Sequence, residues 1–428
     1  MAASPVLSFH NLSIKEINRH KLFATIYRNP NLPKLRLSQL LDMSLSTIDS
    51  NVKRLLTEGL IVPSGTLEST GGRKATGYTI NARHKSAIGV FIRAESALIC
   101  AVDLNGDLIA SQEVLLPYSK ESSYLERLST EVSAFIGNHA ELHSGSILGI
   151  SLAIQGIVTI DEDDSRVSYG KILDNQQLTL SAIQKHFKLP CTLHHDSKAA
   201  AFAALWEHPE VENAALFLLN DNVGGALIFN NTVHYGNAFQ GGLIEHLTVD
   251  HQGRLCYCGD YDCLECYCSK RALEHEAKLP LTDFFTKLHE PECPESLQQL
   301  WHSYLEHLSI AIRQVHKMID GTIILTGALA PYLTVGDLTE LVALSNEHNA
   351  FSLTQSTAVP VARTTSTSGP HETQVGDLLL SVNGDSIVAL GAARYLINAY
   401  LECFEANPIS DPKCNLGTIT LNLPENKY

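Results

Sequence analysis

The sequence predicts an α/β protein built from an N-terminal winged helix-turn-helix, residues 1–84, and a two-lobed α/β body, residues 85–428. Three observations support this division. The charge changes sign along the chain, the apolar pattern changes from helices to strands near Lys85, and two sets of strands are each followed by helices. We call residues 1–84 the head and residues 85–428 the body.

The head is basic and the body is acidic. Residues 1–85 hold 12 Lys and Arg against 5 Asp and Glu, a net charge of +7. The whole chain carries −15, so the remaining residues carry −22. This split indicates that the head alone binds an anionic partner.

Helical spacing and turn residues predict the elements of the head. These elements are helices within residues 13–30, 38–41 and 44–59 and strands at 60–62 and 78–80. Ser44 or Ser46 caps the third helix, and Gly59 ends it. Three helices followed by two strands around a Gly-rich loop match the winged helix-turn-helix plan.

The third helix carries small polar and basic side chains opposite its apolar stripe, and the tip of the wing is also basic. The predicted DNA-binding residues are Ser46, Thr47, Ser50, Asn51, Lys53 and Arg54 on the helix and Arg73 and Lys74 on the wing. Small polar side chains reach base edges, and cations reach phosphates or a minor groove. Double-stranded DNA is therefore the predicted partner. A protein-interaction module with solvated basic residues is the alternative.

The body contains strands in two sets. The predicted strands are 86–94, 96–104, 107–116, 146–158, 189–195, 213–236 and 322–329, with helices at 121–142, at 196–208 and after residue 269. Asn105-Gly106 is typical of a hairpin turn. Strands in sets of three followed by helices, twice over, predict two α/β lobes around a cleft.

Half of the ten cysteines lie in CYCGDYDCLECYC, residues 256–268. A disulfide knot, a redox site at Cys263 and Cys266, and a metal site are the alternatives. The N-terminus lacks a secretory signal and the other cysteines are scattered, which favours a metal. Cys256, Cys258 and Cys263 with an upstream histidine make a Cys3His set, typical of structural zinc.

Several stretches in order resemble motifs of the ROK family of sugar kinases and transcriptional repressors. They are GRKA at 72–75, GIVTI at 156–160, HDSKAAA at 195–201, GLIEH at 242–246 and the cysteine stretch at 256–269. The last one resembles Cys-x-Cys-Gly-x-x-Gly-Cys-x-Glu-x-x-x-Ser except at Asp262. The resemblance implies an actin-like (ribonuclease H-like) sugar-kinase fold for 85–428, with a zinc loop at about 246–269. Within the family, the chain is similar to the N-acetylglucosamine-, xylose- and Mlc-type repressors.

The resemblance also implies the roles of individual residues. It gives His246, Cys256, Cys258 and Cys263 as zinc ligands, with His251 as a positional rival and with Cys266 and Cys268 unassigned. It gives His195, Asp196, His246 and Glu265 as effector contacts. Asp196 is the family's catalytic base position, expected to be non-catalytic here. In GLIEH, Leu243 stands where the family has a glutamate that accepts from sugar hydroxyls, so an acceptor is lost.

The phosphate-binding turns of the family's kinases are altered. The resemblance places them at residues 91–96 and 220–224, where Glu95 and Asp221 stand and most glycines are missing. Only Gly327 remains of a Gly-Gly pair on the adenosine side. Glycines let backbone amides approach phosphate oxygens, and carboxylates repel them. We therefore expect no enzyme activity, with a sugar kinase of residual ATP-dependent activity as the alternative.

Together these features predict a cytoplasmic, zinc-containing repressor of sugar-utilisation genes. The effector is a sugar, a sugar phosphate or a sugar-transport protein, sensed in a degenerate kinase domain. Because operators with two half-sites require a symmetric protein, we expect a homodimer or homotetramer. No stretch of the sequence is long and apolar enough for a transmembrane helix.

Overall fold

The structure is a computed structural model. It describes residues 14–66, 75–142, 146–160, 164–176, 178–347, 353, 359–361, 372–381 and 383–405. Within these ranges, none of the helices combines the length and the apolar character needed to cross a bilayer.

The head folds as three helices and a small antiparallel sheet. Its elements are α1 (Ile14–Arg28), β1 (Leu32–Pro33), α2 (Lys34–Leu41), α3 (Leu45–Thr57), β2 (Ile61–Thr66) and β3 (Thr76–Ile80). The strand order is β1-β3-β2. Buried side chains from all three helices pack together, among them Phe23, Leu37 and Val52. The winged helix-turn-helix plan follows from this order.

Two predicted details of the head can be compared with the structure. The second helix begins at Lys34, before the predicted start near Ser38, because Pro33 precedes it in extended geometry and leaves no orphan N–H of its own. Of the two candidate caps for α3, Ser44 is the one used: its Oγ accepts from the Thr47 N–H at 3.1 Å. Arg73 and Lys74 lie outside the described residues.

The first lobe of the body follows a 3-10 helix at Ala82–His84. Its elements are β4 (Ser86–Ile92), β5 (Ser96–Asp103), β6 (Leu108–Leu115), α4 (Ser122–Asn138), β7 (Ile147–Ile154), β8 (Ile157–Ile160), β9 (Ser165–Tyr169), α5 (Leu180–Gln184), β10 (Cys191–His195) and α6 (Asp196–Glu207). The main sheet has the order β10-β7-β4-β5-β6, and β8 and β9 form a separate hairpin.

The second lobe contains a larger sheet and most of the helices. Its elements are β11 (Ala214–Leu219), β12 (Val223–Phe229), β13 (Thr232–His234), α7 (Glu265–Cys268), α8 (Lys270–Ala277), α9 (Leu281–Leu288), α10 (Glu295–Ile319), β14 (Thr322–Thr326), α11 (Val335–Asn346), β15 (Val359–Val361), β16 (Glu372–Val375), β17 (Leu378–Leu380) and α12 (Ser386–Glu405). The sheet order is β13-β12-β11-β14-β17-β16-β15.

The two lobes repeat one topology. In the first, the meander β4-β5-β6 is extended by parallel strands β7 and β10 beside β4. In the second, the meander β11-β12-β13 is extended by parallel strands β14 and β17 beside β11. The predicted α/β fold class with two lobes is confirmed. The predicted boundary at 84/85 coincides with the end of the 3-10 helix and stays a prediction.

Helices α6 and α12 pack closely against each other. A Cβ on Gly391 of α12 would lie 1.8 Å from the Ala199 carbonyl oxygen of α6, so the contact requires glycine. Arg394 of α12 donates to the Glu207 carboxylate at 2.8 Å, at the other end of α6. The side chains of Ala199 and Ala203 are buried, which keeps the two backbones close.

Helix α12 also reaches the head. Near its end, the Phe404 ring lies 4.4 Å from the ring of Phe23 and 5.0 Å from that of His20, both on α1. Phe23 and Phe404 are buried in one continuous apolar cluster that extends from the head into the body. Helix α12 therefore contacts both the head and α6.

Candidate functional site

A cavity of about 260 Å³ opens where β10 passes into α6. Its lining combines carboxylates, histidines and amides with two tyrosines and several apolar side chains. The lining residues are Gln155, Gly156, Ile157, Tyr169, Gly170, Lys171, Ile172, His195, Asp196, Val223, Gly224, Gln240, Leu243, Glu245, His246, Tyr257 and Cys258. A concave mixed surface with a few convergent polar groups is typical of a small-molecule site.

Asp196 begins α6 at one wall of the cavity. Its Oδ1 accepts from the Ser197 N–H at 2.6 Å, so the carboxyl group also serves the first turn of the helix. Burial raises the pKa of Asp196 to about 7 and lowers the pKa of His195 to about 3. Burial therefore disfavours the charged form of both groups in the 3.3 Å contact from His195 Nε2 to Asp196 Oδ1.

Glu245 lines the same cavity beside Leu243. It lies in the 3-10 helix Ile244–His246 and is only 5% exposed. Its Oε2 is buried and has no hydrogen-bond partner among the described residues. Burial raises the pKa of Glu245 to about 8. The sequence reasoning did not single out this residue, although the Glu of GLIEH was a visible signal.

The segment that carries Glu245 lies directly on β12. A Cβ on Gly225 would lie 2.4 Å from the Gly242 carbonyl oxygen and 2.7 Å from Ile244 Cβ, so only glycine allows this approach. Lys198 of α6 secures the other side, because its Nζ donates to the Gly225 carbonyl at 3.3 Å and to the Gly241 carbonyl. Burial lowers the pKa of Lys198 to about 8, while Glu245 and Asp196 oppose that shift.

The predicted effector residues do not all meet at the cavity. His195, Asp196 and His246 line it, whereas Glu265 does not. The Glu265 carboxylate instead accepts from the Asn222 side-chain amide and from the Val223 N–H at 2.7 Å. Glu265 therefore holds the turn between β11 and β12. Burial raises its pKa to about 7.

The four predicted metal ligands lie together. The ligand atoms of His246, Cys256, Cys258 and Cys263 are all within 4.8 Å of one another. Cys258 Sγ and Cys263 Sγ are 3.7 Å apart, as are His246 Nδ1 and Cys256 Sγ. A tetrahedron with metal–sulfur bonds of about 2.3 Å has S···S edges of about 3.8 Å. The donor set and its spacing therefore fit a tetrahedral metal ion.

The other candidate ligands lie outside this set. His251 is exposed in the preceding turn. Cys266 is half-buried, with its Sγ 3.9 Å from the Arg254 carbonyl oxygen. Cys268 is fully buried in the core of the second lobe, where its Sγ contacts the Tyr304 carbonyl oxygen at 3.5 Å.

Asp262, the one departure from the cysteine motif, has a structural explanation. Its φ is +58°, a conformation that favours glycine but that aspartate tolerates. Its carboxylate accepts from the N–H groups of Gly253 and Arg254 at 2.9 and 2.8 Å and from the Tyr267 hydroxyl at 2.6 Å. The aspartate therefore stabilises the loop at about 246–269, here called the metal loop, with side-chain hydrogen bonds that a glycine could not make.

The metal loop forms one wall of the cavity. His246, Tyr257 and Cys258 belong to the loop and also line the cavity. The rings of His246 and Tyr257 pack edge to face at 5.1 Å. Lys171, from the opposite wall, donates to the Tyr257 carbonyl at 2.8 Å. The position of this wall thus depends on the cluster that holds the loop.

The third helix of the head presents the predicted polar face. Ile48, Val52 and Leu55 are buried against the head, and the opposite side of α3 is exposed or half-buried. This opposite side carries Ser46, Thr47, Ser50, Asn51, Lys53 and Arg54. Asp49, on the flank, pairs with Lys34 and with Lys53 at 2.8 Å, so the one acid of the helix is neutralised within the head.

Comparison with known proteins identifies the body. The model of the ROK family matches residues 87–381, more than half of the chain. The chain belongs to the ROK family.

Two similar proteins are named as transcriptional repressors or regulators. A xylose repressor of Caldicellulosiruptor bescii is 27% identical over 263 residues, 61% of this chain and 65% of that protein. The DNA-binding transcriptional dual regulator NagC of Escherichia coli K12 is 24% identical over 286 residues, 63% of this chain and 69% of that protein. The chain thus spans about two thirds of the length of these relatives.

Solved ROK structures share the fold. A ROK family transcriptional regulator, homolog of the E. coli MLC protein, covers 91% of this chain and 98% of its own, with a TM-score of 0.64 and 17% identity. A ROK family glucokinase from Streptomyces griseus, solved with glucose and AMPPNP, covers 72% and 98%, with a TM-score of 0.56 and 17% identity. The actin-like fold is therefore shared by regulators and kinases.

Ion pairs occupy the two turns that the sequence resemblance places at the phosphate-binding turns of ROK kinases. In the first turn, Arg93 binds Asp385 at 2.7 Å and also Glu113. In the second, Asp221 binds Lys270 at 2.8 Å. Asn220 accepts from the Ala328 N–H at 2.7 Å, which ties the second turn to the segment after β14. Paired charged side chains thus occupy both of these turns.

Proposed function

We propose that the protein is a DNA-binding transcriptional regulator, a repressor of sugar-utilisation genes whose effector binds in the cavity of the ROK body. One observation carries the proposal: the cavity is open while both phosphate turns hold ion pairs, and a winged helix precedes the body. A binding site without a phosphoryl-donor site favours sensing over catalysis. The relatives named as repressors support the same conclusion.

The head supplies the DNA contacts in this proposal. Helix α3 enters the major groove, with Ser46, Thr47, Ser50 and Asn51 near base edges. Lys53 and Arg54 bind phosphates, since both side chains are exposed, at 73% and 48%. Arg73 and Lys74 of the wing extend the contact to the backbone or a minor groove.

The body supplies the sensing. An effector in the cavity contacts His195, Asp196 and His246, and α6 begins at Asp196. Helix α12 lies against α6 at Gly391 and against the head at Phe404, so a change in the position of α6 reaches α1 through two packed contacts. A sugar, a sugar phosphate or a sugar-transport protein acts as effector only if it binds one lobe arrangement more tightly than the other.

Zinc is the metal we propose for the cluster, held by His246, Cys256, Cys258 and Cys263. The closed Cys3His donor set supplies stability and no reactive open position. The cluster would also hold one wall of the cavity in place, because His246 and Cys258 belong both to the ligand set and to the cavity lining. Two-fold operators require two copies of the head, so a homodimer or homotetramer belongs to the proposal.

DNA binding is tested by fluorescence anisotropy with fragments from upstream of sugar-utilisation genes, at several salt concentrations. Replacing both Lys53 and Arg54 by Ala is expected to reduce the slope of log K against log salt by about two per head, one for each lost phosphate contact. The matched control replaces Lys287 and Lys317 of the body, both exposed, by Ala. An unchanged slope in the head variant would remove α3 from the interface.

The kinase alternative is tested directly. We expect no ATP consumption with xylose, glucose or N-acetylglucosamine, because a carboxylate in each phosphate turn repels the nucleotide. Sugar-dependent ADP release above the rate of an Asp196→Asn variant would establish the kinase.

A further inference from the structure

The cavity contains a carboxylate in a position where the family pattern has none. The family stretch reads Gly-Glu-Ile-Gly-His, and this chain has Gly242-Leu243-Ile244-Glu245-His246. Compared with that stretch, a leucine stands at the position of the glutamate, and a glutamate stands two positions later. Both Leu243 and Glu245 line the cavity, so this difference alters the surface that a ligand would contact.

One oxygen of the buried Glu245 carboxyl group lacks a hydrogen-bond partner among the described residues. Glu245 is 5% exposed, and that oxygen is its Oε2. The nearby cation Lys198 is engaged elsewhere, because its Nζ donates to the backbone carbonyls of Gly225 and Gly241. Native proteins rarely leave a buried polar atom unpaired, and a ligand donor is one way to satisfy it.

The neighbours of Glu245 define what such a ligand must offer. Leu243 makes no hydrogen bond with its side chain and presents an apolar wall. Asp196 adds a second carboxyl group to the lining, and Lys171 at the rim already donates to a backbone carbonyl. A ligand therefore has to bring a hydrogen-bond donor to Glu245 and C–H groups to Leu243. A phosphate or carboxylate at that point gains no ion pair from the nearby lysines, because Lys171 and Lys198 already donate to backbone carbonyls.

We propose that Glu245 selects the effector by accepting a hydrogen bond from one of its hydroxyl groups, and that the effector is an uncharged polyol, an unphosphorylated sugar. This inference rests on the proposed function, because it assumes that the cavity binds the effector. Leu243 is the second determinant, since it excludes the hydroxyl that the usual family glutamate would receive.

The test is isothermal titration calorimetry of the full-length, zinc-loaded protein. The probes are xylose, glucose and N-acetylglucosamine, with the 6-phosphates of the last two. Wild type is compared with Glu245→Gln, with Glu245→Gly and with the double variant Leu243→Glu/Glu245→Gly, which restores the family order. Glu347→Gln, at an exposed position at the end of α11, is the matched control.

We expect wild type to bind at least one unphosphorylated sugar, and to bind the corresponding phosphate at least about tenfold more weakly. Glu245→Gly should weaken sugar binding by about twofold to tenfold, the usual loss for a hydrogen bond between neutral groups. Glu245→Gln should lose less, because its amide oxygen still accepts. The double variant should regain affinity and prefer a different sugar of the panel.

Three results would overturn the inference. They are unchanged affinity in Glu245→Gly, tighter binding of the phosphates than of their parent sugars, and no binding of any probe. If Glu245→Gly does not fold, judged by its thermal unfolding, the nearly isosteric Glu245→Gln provides the same comparison. Operator binding measured on the same samples distinguishes a failure of this inference from a failure of the proposed function. Intact DNA binding with no sugar binding refutes this inference alone. Absent DNA binding refutes the proposed function.

Discussion

The two ends of the cleft between the lobes differ in this protein: one is an open cavity and the other is filled by an ion pair. At one end, His195, Asp196 and Glu245 surround a cavity of about 260 Å³. At the other end, Arg93 and Asp385 form an ion pair in the turn that the sequence resemblance places at a phosphate-binding turn of the ROK kinases. We call them the sugar end and the nucleotide end.

The difference follows from how each end would bind its ligand. Phosphates need close approach to backbone amides, so any side chain in the turn fills the space they require. A sugar is bound by side chains, which can be exchanged one at a time without closing the cavity. Under the proposed function, the fold has therefore lost its nucleotide and kept its sugar.

The largest expected effect is on the metal loop, which supports only the sugar end. Cys263→Ser should weaken zinc binding several hundredfold, since each of four ligands contributes about 3–4 kcal/mol. Zinc content, sugar affinity and operator affinity are measured together, with Cys293→Ser outside the cluster as the control. Sugar binding should fall while the head stays folded. Normal sensing without zinc would show that the metal does not shape the sugar end.

The next effect concerns the two helices that connect the ends. Gly391→Ala should lower the free energy of unfolding by about 2–4 kcal/mol, because the new Cβ meets the Ala199 backbone of α6. Gly137→Ala in α4 is the control, where nothing lies within 4 Å of the new methyl group. That control should be neutral or stabilise by up to about 1 kcal/mol. Chemical denaturation gives both values, and equal effects would mean that the close approach is absent.

A smaller effect is expected at the nucleotide end. Arg93→Met should destabilise the protein by about 1–3 kcal/mol, because Asp385 is left half-buried without its cation. Sugar binding should not change, since none of these residues lines the cavity. Lys120→Met, in an exposed pair with Asp174, is the control and should have no measurable effect. Loss of sugar affinity in Arg93→Met would mean that the two ends are coupled.

The smallest effect is pH-dependent and belongs to the sugar end. Burial raises the pKa of Asp196 to about 7 in the folded state, above its ordinary value of 3.8. The folded protein therefore holds a proton that the unfolded chain has released, and stability falls as pH rises from about 4 to 7. Asp196→Asn removes this penalty and keeps the bond from the Ser197 N–H.

The variant should thus be more stable than wild type by about 1–2 kcal/mol at pH 8, since the loss of attraction to Lys198 offsets part of the gain. The difference should vanish below pH 4, where Asp196 is protonated in both states. Thermal unfolding at both pH values measures it. A variant that is less stable at pH 8 would show that Asp196 is favourably ionised in the fold.

Local patterns were sufficient for the fold and for the metal cluster. Helical spacing in the head and two sets of strands in the body predicted the winged helix and the two lobes, because burial repeats with the period of each element. The three cysteines lie close in sequence, and the family pattern supplied His246. Geometry then separated His246 from His251, which no spacing rule could do.

The cavity was less predictable. The family resemblance implies Glu265 as an effector contact, yet its carboxylate accepts hydrogen bonds from Asn222 and Val223. Glu245 is missed because a motif compared position by position shows only that Leu243 has replaced a glutamate. The direction of the Glu245 side chain depends on how the segment 242–246 packs on β12, and this close packing requires a glycine at Gly225.

The amino-acid sequence by itself indicated a basic head, two α/β lobes and a cluster of candidate metal ligands, and the family resemblance added the altered phosphate turns. Each of these depends on residue types at fixed local spacing. Only the tertiary structure decided which carboxylate faces the cavity, which ion pairs occupy the nucleotide end, and how α12 contacts both α6 and the head. These contacts join residues far apart in the chain, such as Arg93 and Asp385, and packing alone brings them together.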